Sequence, residues 1–264
     1  MKEILLTTIK ATGLQIIGIL GVFFLFGYLL AFIQKRILNI YKKSIGWRGV
    51  LFTGWIGTPI HELGHLAFAL IFNYKIKEVS LFKTNKKTGR LGHVRYGRIP
   101  HNICHEVGRF FVGSAPLIFG SLAILALLYL LVPSADSIFA PILNSNADIS
   151  VLSQITETLT NLFSYSNLKN WKFWVFIYLS FSIVTHIAPS KRDQKQMWSG
   201  LLWLTLLLFA INFVALTIFN KNITNYILQV NDLLTVLTST FILALLLSLS
   251  HYLIAKIIFF PFHK

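Results

Sequence analysis

Apolar residues fall in six long runs separated by short polar or basic stretches: about 13–33, 49–74, 110–132, 171–188, 198–219 and 233–260. Most of these runs reach the roughly 20 apolar residues that a helix needs to cross the hydrocarbon of a bilayer. The pattern predicts an all-α polytopic membrane protein with about six transmembrane helices, residues 1–264 forming a single membrane domain. Between the second and third runs, over 75–109, the period changes. Glu78-Val79-Ser80-Leu81-Phe82 and Leu91-Gly92-His93-Val94-Arg95-Tyr96 alternate in period two around Lys86-Lys87-Thr88-Gly89, which predicts a short β-hairpin insertion after the second helix. Between the third and fourth runs, 133–170 is polar. There Leu152, Ile155, Leu159, Leu162 and Phe163 share one helical face, so 148–165 reads as an amphipathic helix in an external loop, lying on the membrane or serving as a lid or partner site.

Composition agrees with the pattern. Hydrophobic residues make up 55% of the chain and charged ones only 12%, too little charge to cover a soluble globule of this size. The net charge of +15 raises nucleic acid as a partner, but the Lys and Arg lie in the gaps between apolar runs, where topology-setting charges belong. Cys104 is the one cysteine, which excludes an internal disulfide framework. The first run lacks a small-residue cleavage site after it and reads as a span instead of a signal peptide. With both termini in the cytoplasm, the inner segments collect about two-thirds of the 24 Lys and Arg, which the positive-inside rule favours.

The chemistry-bearing stretch is His61-Glu62-Leu63-Gly64-His65, inside the second run. Two histidines four apart share a helix face about one turn apart and can reach one tetrahedral metal. The carboxylate between them stays unligated and can take a proton from a water whose pKa the metal has lowered. Two imidazoles and a carboxylate in an apolar span are costly unless they pair or bind something, so a functional site is the default reading. Pro59 just before the motif is expected to kink the helix or free a carbonyl. His61 and His65 lie about 16 and 22 Å down their span, and His186 about 20 Å down the fourth, with Asp193 somewhat deeper. The four can therefore meet, and a third ligand from the fourth span would leave one position open for water.

Gly113-Ser114-Ala115-Pro116 and Gly120-Ser121 are small residues that let helices pack closely. His101, Cys104, His105 and Glu106 recur at helical spacing in a basic stretch and read as a solvated face. His93, His251 and His263 carry no usable pattern.

Taken together, His61-Glu62-Leu63-Gly64-His65, Gly89-Arg90-Leu91-Gly92-His93-Val94, Gly113-Ser114-Ala115-Pro116 and the segment from Pro189 to Asp193 resemble the site-2 protease type of intramembrane zinc metalloprotease over about residues 51–200. The resemblance implies zinc held by His61, His65 and Asp193, Glu62 as catalytic base and acid, and a membrane-spanning protein or signal-peptide remnant as substrate. It also implies a bacterial plasma membrane and a regulatory membrane partner. Departures are visible: His186 stands where that family has an asparagine, Asp193 comes one residue early after Pro189, Gln194 replaces a glycine and Phe119 another asparagine. A smaller bacterial branch uses a His and Asp pair at this spacing, and the chain is most similar to it. His186 therefore remains the alternative third ligand or a substrate-side donor. Two other classes stay open: an ion or metal transporter with His and Asp in its path, and a noncatalytic zinc-holding membrane scaffold.

Overall fold

The computed structural model describes residues 2–86, 89–97, 102–144, 150–219, 222 and 231–259. The chain opens with α1 (Lys2–Gln15), a π-helical turn (Ile16–Leu20) and α2 (Gly21–Ser44), one continuous helical segment of 43 residues. The first apolar run is thus extended at both ends. Lys35, Arg36, Lys42 and Lys43 continue the helix because Lys and Arg are good helix formers and suit its C-terminal end. Gly46, at φ +69°, reverses the chain where a side chain would be strained.

Helix α3 (Trp47–Ile71) carries the motif, with Pro59 accommodated inside it. The hairpin follows as β1 (Lys75–Ser80) and β2 (His93–Gly97), antiparallel, Lys75 opposite Gly97 and Ser80 opposite His93, with a bulge between Ile76 and Glu78. Pairing starts closer to α3 than the alternation predicted, and Lys87 and Thr88 of the expected turn lie outside the described residues. Helix α4 (Ile103–Leu131) begins two turns before the expected span, because Asn102 caps it by accepting from the His105 N–H at 3.2 Å. The segment 133–170 is helical over more than the stretch 148–165 that the pattern predicted. It forms α5 (Ala135–Leu143), α6 (Val151–Leu162) and α7 (Tyr165–Lys169). In α6 the buried residues are Gln154, Thr158 and Leu162, while Leu152 is 74% exposed. The beginning of the expected helix, 148–149, lies outside the described residues.

Helix α8 (Trp171–Val184) stops at the turn before Pro189, and α9 (Lys191–Ile218) resumes after it; α10 (Asn231–Phe259) closes the described chain. The fourth and fifth runs were expected to cross in opposite directions. They do not. A side chain at Gly120 would meet Ile183 and Ile187, one at Gly113 would meet Asp193 and Met197, and one at Gly200 would meet Phe110. Numbers rise along α8 and α9 as they fall along α4, so both run antiparallel to α4 and in one direction. A proline break interrupts a helix without reversing it. Helix α10 runs parallel to α2: Phe241 packs on Phe23 and Phe26, and farther along both helices His251 meets Tyr41. Lys2 and Phe259 accordingly lie at opposite ends of the bundle, whereas the charge distribution put both termini on one side.

Among the described residues four helical segments are long and apolar enough to cross a membrane: Lys2–Ser44, Ile103–Leu131, Lys191–Ile218 and Leu233–Phe259. The other two expected spans are not among them. Helix α3 has the length, 25 residues, but carries Arg48, Thr53, Thr58, His61, Glu62 and His65. Helix α8 is apolar but has only 14 residues, about 21 Å. Helix α8 ends beside the middle of α3, next to Gly57 and His61, where the polar side chains gather.

Candidate metal centre

His61 and His65 project from one face of α3 with their Nε2 atoms 3.2 Å apart. Their other ring nitrogens are both committed to backbone carbonyls, His61 Nδ1 donating to His186 O at 2.6 Å and His65 Nδ1 to Val112 O at 2.9 Å. A neutral imidazole that donates from Nδ1 has only a lone pair on Nε2. Two lone pairs therefore face each other across 3.2 Å, an arrangement that is repulsive alone and favourable around a cation. Asp193 completes the group, Oδ1 at 3.4 Å from His65 Nε2 and Oδ2 at 3.8 Å from His61 Nε2. Ligand atoms held at roughly 2.0–2.1 Å from a tetrahedral zinc are about 3.3 Å from one another. The three side chains fit a metal of that size, and one nitrogen from each histidine plus one carboxylate oxygen leaves a fourth position open.

Both carbonyls are available for a local reason. In an uninterrupted helix Val112 O would accept from residue 116, but Pro116 has no N–H, and the carbonyl is freed toward His65. His186 O would accept from the N–H of Ser190. That N–H instead donates to Asp193 Oδ2 at 2.8 Å, while Ser190 Oγ accepts from the Asp193 N–H at 3.3 Å, a capping box at the start of α9. One break between α8 and α9 thus supplies the carbonyl that orients His61 and the carboxylate that joins it. Pro116 and Ser190 were not read from the sequence as site residues. Counting four back from Pro116, to a carbonyl without its helical partner, was the signal available.

Glu62 is buried at 7% exposure beside the group and not in it. The hairpin covers it closely. A Cβ at Gly92 would stand 2.9 Å from Glu62 Cγ and 2.7 Å from Leu81 O, so the strand can lie on this carboxylate only with glycine there. Glu62 also faces two cavities, of about 400 Å³ and about 280 Å³, which share His61, Glu62, Gly92 and Ser190 in their walls. The arrangement can place water and an extended chain beside the metal position and a proton acceptor.

His186 does not join the three. Its ring is buried between α3 and α8, Nε2 3.0 Å from Thr53 Oγ1, and its contribution to the site is its carbonyl. Its place beside α3 depends on Gly57, where a Cβ would crowd both the ring and the Ser182 carbonyl. The group at 101–106 corrects the sequence reading of a solvated face. His105 is 2% and Glu106 6% exposed. His105 stacks on Tyr74, whose hydroxyl donates to the His105 carbonyl, and Glu106 accepts from Arg109 at 3.1 Å. Cys104 is exposed; His101 and His263 lie outside the described residues. His251 is buried between Tyr41, at 2.5 Å, and Thr185, at 3.1 Å, with Phe181 stacked on it. On the hairpin, His93 Nε2 lies 3.0 Å from Glu78 Oε1, and Arg95 3.1 Å from Oε2. The hydrogen bond from His93, with the Arg95 charge, holds the exposed Glu78 carboxyl below its ordinary range. Burial pushes the Tyr96 phenol up, against its hydrogen bond to Gln196.

Comparison with protein-family models, with curated proteins and with solved structures found no match to this chain.

Proposed function

We propose that this chain is a membrane-embedded zinc metalloendopeptidase of the site-2 protease kind, hydrolysing a peptide bond of a membrane-spanning protein or signal-peptide remnant. The observation that carries the reading is the set of two Nε2 lone pairs and one carboxylate converging on a single point, with a second carboxylate, that of Glu62, buried beside them and outside the group. His61, His65 and Asp193 are the residues that hold zinc. Zinc held there would lower the pKa of a water and polarise the scissile carbonyl. Glu62 accepts the proton of the attacking water and returns it to the leaving amide nitrogen. The carbonyls of Val112 and His186 keep both imidazoles in the Nδ1–H tautomer, so that the lone pairs stay on the metal side. The hairpin backbone over Glu62 keeps bulk solvent off one side and leaves the two cavities as approaches.

In this proposal the helices cross a bacterial plasma membrane five times, not six. α8 and α9 form one interrupted crossing, a form tolerated where freed backbone lines a cavity. The hairpin and its basic residues face the cytoplasm, and the termini lie on opposite sides. A regulatory membrane partner would select substrates by docking on the helical part. The test is zinc content and proteolysis of purified wild type and Glu62→Gln, against a pool of single-span and signal-peptide substrates. About one zinc per chain in both, with cleavage in wild type alone, is expected. Equal activity of the two, or no metal in either, refutes the assignment.

A further inference from the structure

The two cavities that meet at Glu62 are lined by cations on both sides of it. Lys35 and Lys42 of α2 line the larger; Arg90, Arg95 and Arg192 line the smaller. The acidic residues in either wall are Glu62 and Asp193, and both belong to the metal site. Arg95 is already held by Glu78. Lys35, Lys42, Arg90 and Arg192 make no ion pair with a described residue, and Arg90 and Arg192 are exposed. Charges that only set topology need to lie on one side of the membrane; they need not line a cavity. Arg192 is also poorly placed for stability. Lys191 and Arg192 occupy the first turn of α9, against the positive end of its dipole, where acidic residues are the stabilising choice. A position that costs helix stability and faces a cavity beside the reacting centre fits a ligand of opposite charge.

We propose that this passage binds an acidic peptide segment, with Asp or Glu flanking the bond that lies over Glu62, and that Arg90 and Arg192 set the preference. The inference rests on the peptidase reading for what becomes of the segment, not for its binding. Flanking carboxylates would be drawn in by the field of the passage, an effect that raises association by tenfold or more at low ionic strength and fades as salt screens it.

The experiment uses the full-length, zinc-loaded, detergent-solubilised chain carrying Glu62→Gln, which removes turnover. Fluorescent peptides share one apolar centre and carry Glu, Gln or Lys on both flanks, and binding is followed by anisotropy. The Glu peptide is expected to bind about tenfold more tightly than the Gln peptide at low salt, the Lys peptide more weakly still. Adding Arg90→Glu and Arg192→Glu should invert that order, while Lys10→Glu on α1 leaves it unchanged. The melting temperature of the Arg192→Glu chain should hold or rise, since the new charge suits the helix start, so lost binding there is not lost folding. Equal binding of the three peptides, or an order that the double reversal does not move, overturns the proposal. Cleavage of the same peptides by the chain with Glu62 intact is scored separately. Acidic preference without cleavage keeps this site and removes the peptidase, and cleavage without preference does the reverse.

Discussion

Replacing Pro116 by alanine isolates the link between a helix break and the metal. The substitution restores an N–H four residues after Val112, where it can take the carbonyl that now accepts His65 Nδ1 at 2.9 Å. Two opposite effects follow. Alanine in a helix interior is favoured over proline by up to about 3 kcal/mol, less here because α4 is already built around the proline. The metal-free protein should therefore melt higher. His65, in contrast, loses its competitor-free partner, its ring is less fixed, and the Nε2 lone pair is no longer held toward Asp193. Loss of such a partner costs roughly 10- to 100-fold in metal affinity, or about 1.4–2.7 kcal/mol. A carbonyl oxygen has two lone pairs and can be shared, so the lower end, about tenfold, is expected. The assay is zinc competition against a chromophoric chelator, with melting of the metal-free form in parallel. Unchanged zinc affinity with a raised melting temperature would refute the argument, because it would mean that His65 does not depend on the freed carbonyl.

Ser190→Ala removes the hydroxyl that caps Asp193, at a cost of about 0.5–2 kcal/mol to the start of α9, and should weaken zinc binding; Ser190→Thr, read by the same titration, should restore most of it. Gly92→Ala forces a methyl to 2.9 Å from Glu62 Cγ and 2.7 Å from a backbone oxygen. It should abolish cleavage while zinc content stays near one, measured on one preparation; loss of both together would indicate misfolding. Glu78 has its folded pKa below its unfolded value, so its contribution to the hairpin is present above about pH 4.5 and is lost as pH falls through the folded pKa. Amide exchange of β2 should quicken over that fall in the wild type, and Glu78→Gln should show the faster exchange already at pH 7; a flat profile in the wild type counts against the pairing.

The residues of the motif were legible in the sequence because a helix of known pitch fixes which side chains share a face: positions 61 and 65 are neighbours in any helix. The long apolar runs and the period-two stretch that pairs as β1 and β2 were legible for the same reason, as repeating local geometry. Other features were decided by contacts between distant segments. Whether Asp193 or His186 reaches the histidines depends on a turn of six residues between α8 and α9, where each residue rotates the next by an amount that no periodicity records. Burial of His105 and Glu106 follows from Tyr74 and Arg109 packing over them, and a basic flanking sequence predicts the opposite. The direction of α9 is also a tertiary fact. Hydropathy counts apolar length, and a proline break looks in sequence like a loop between two crossings, yet close packing at Gly113, Gly120 and Gly200 keeps α9 on the line that α8 began. The sequence by itself determined which groups could bind a metal; the packing of α4 against α3, α8 and α9 decided that three of them point at one spot, since direction in space is a property of neighbours and not of spacing along the chain.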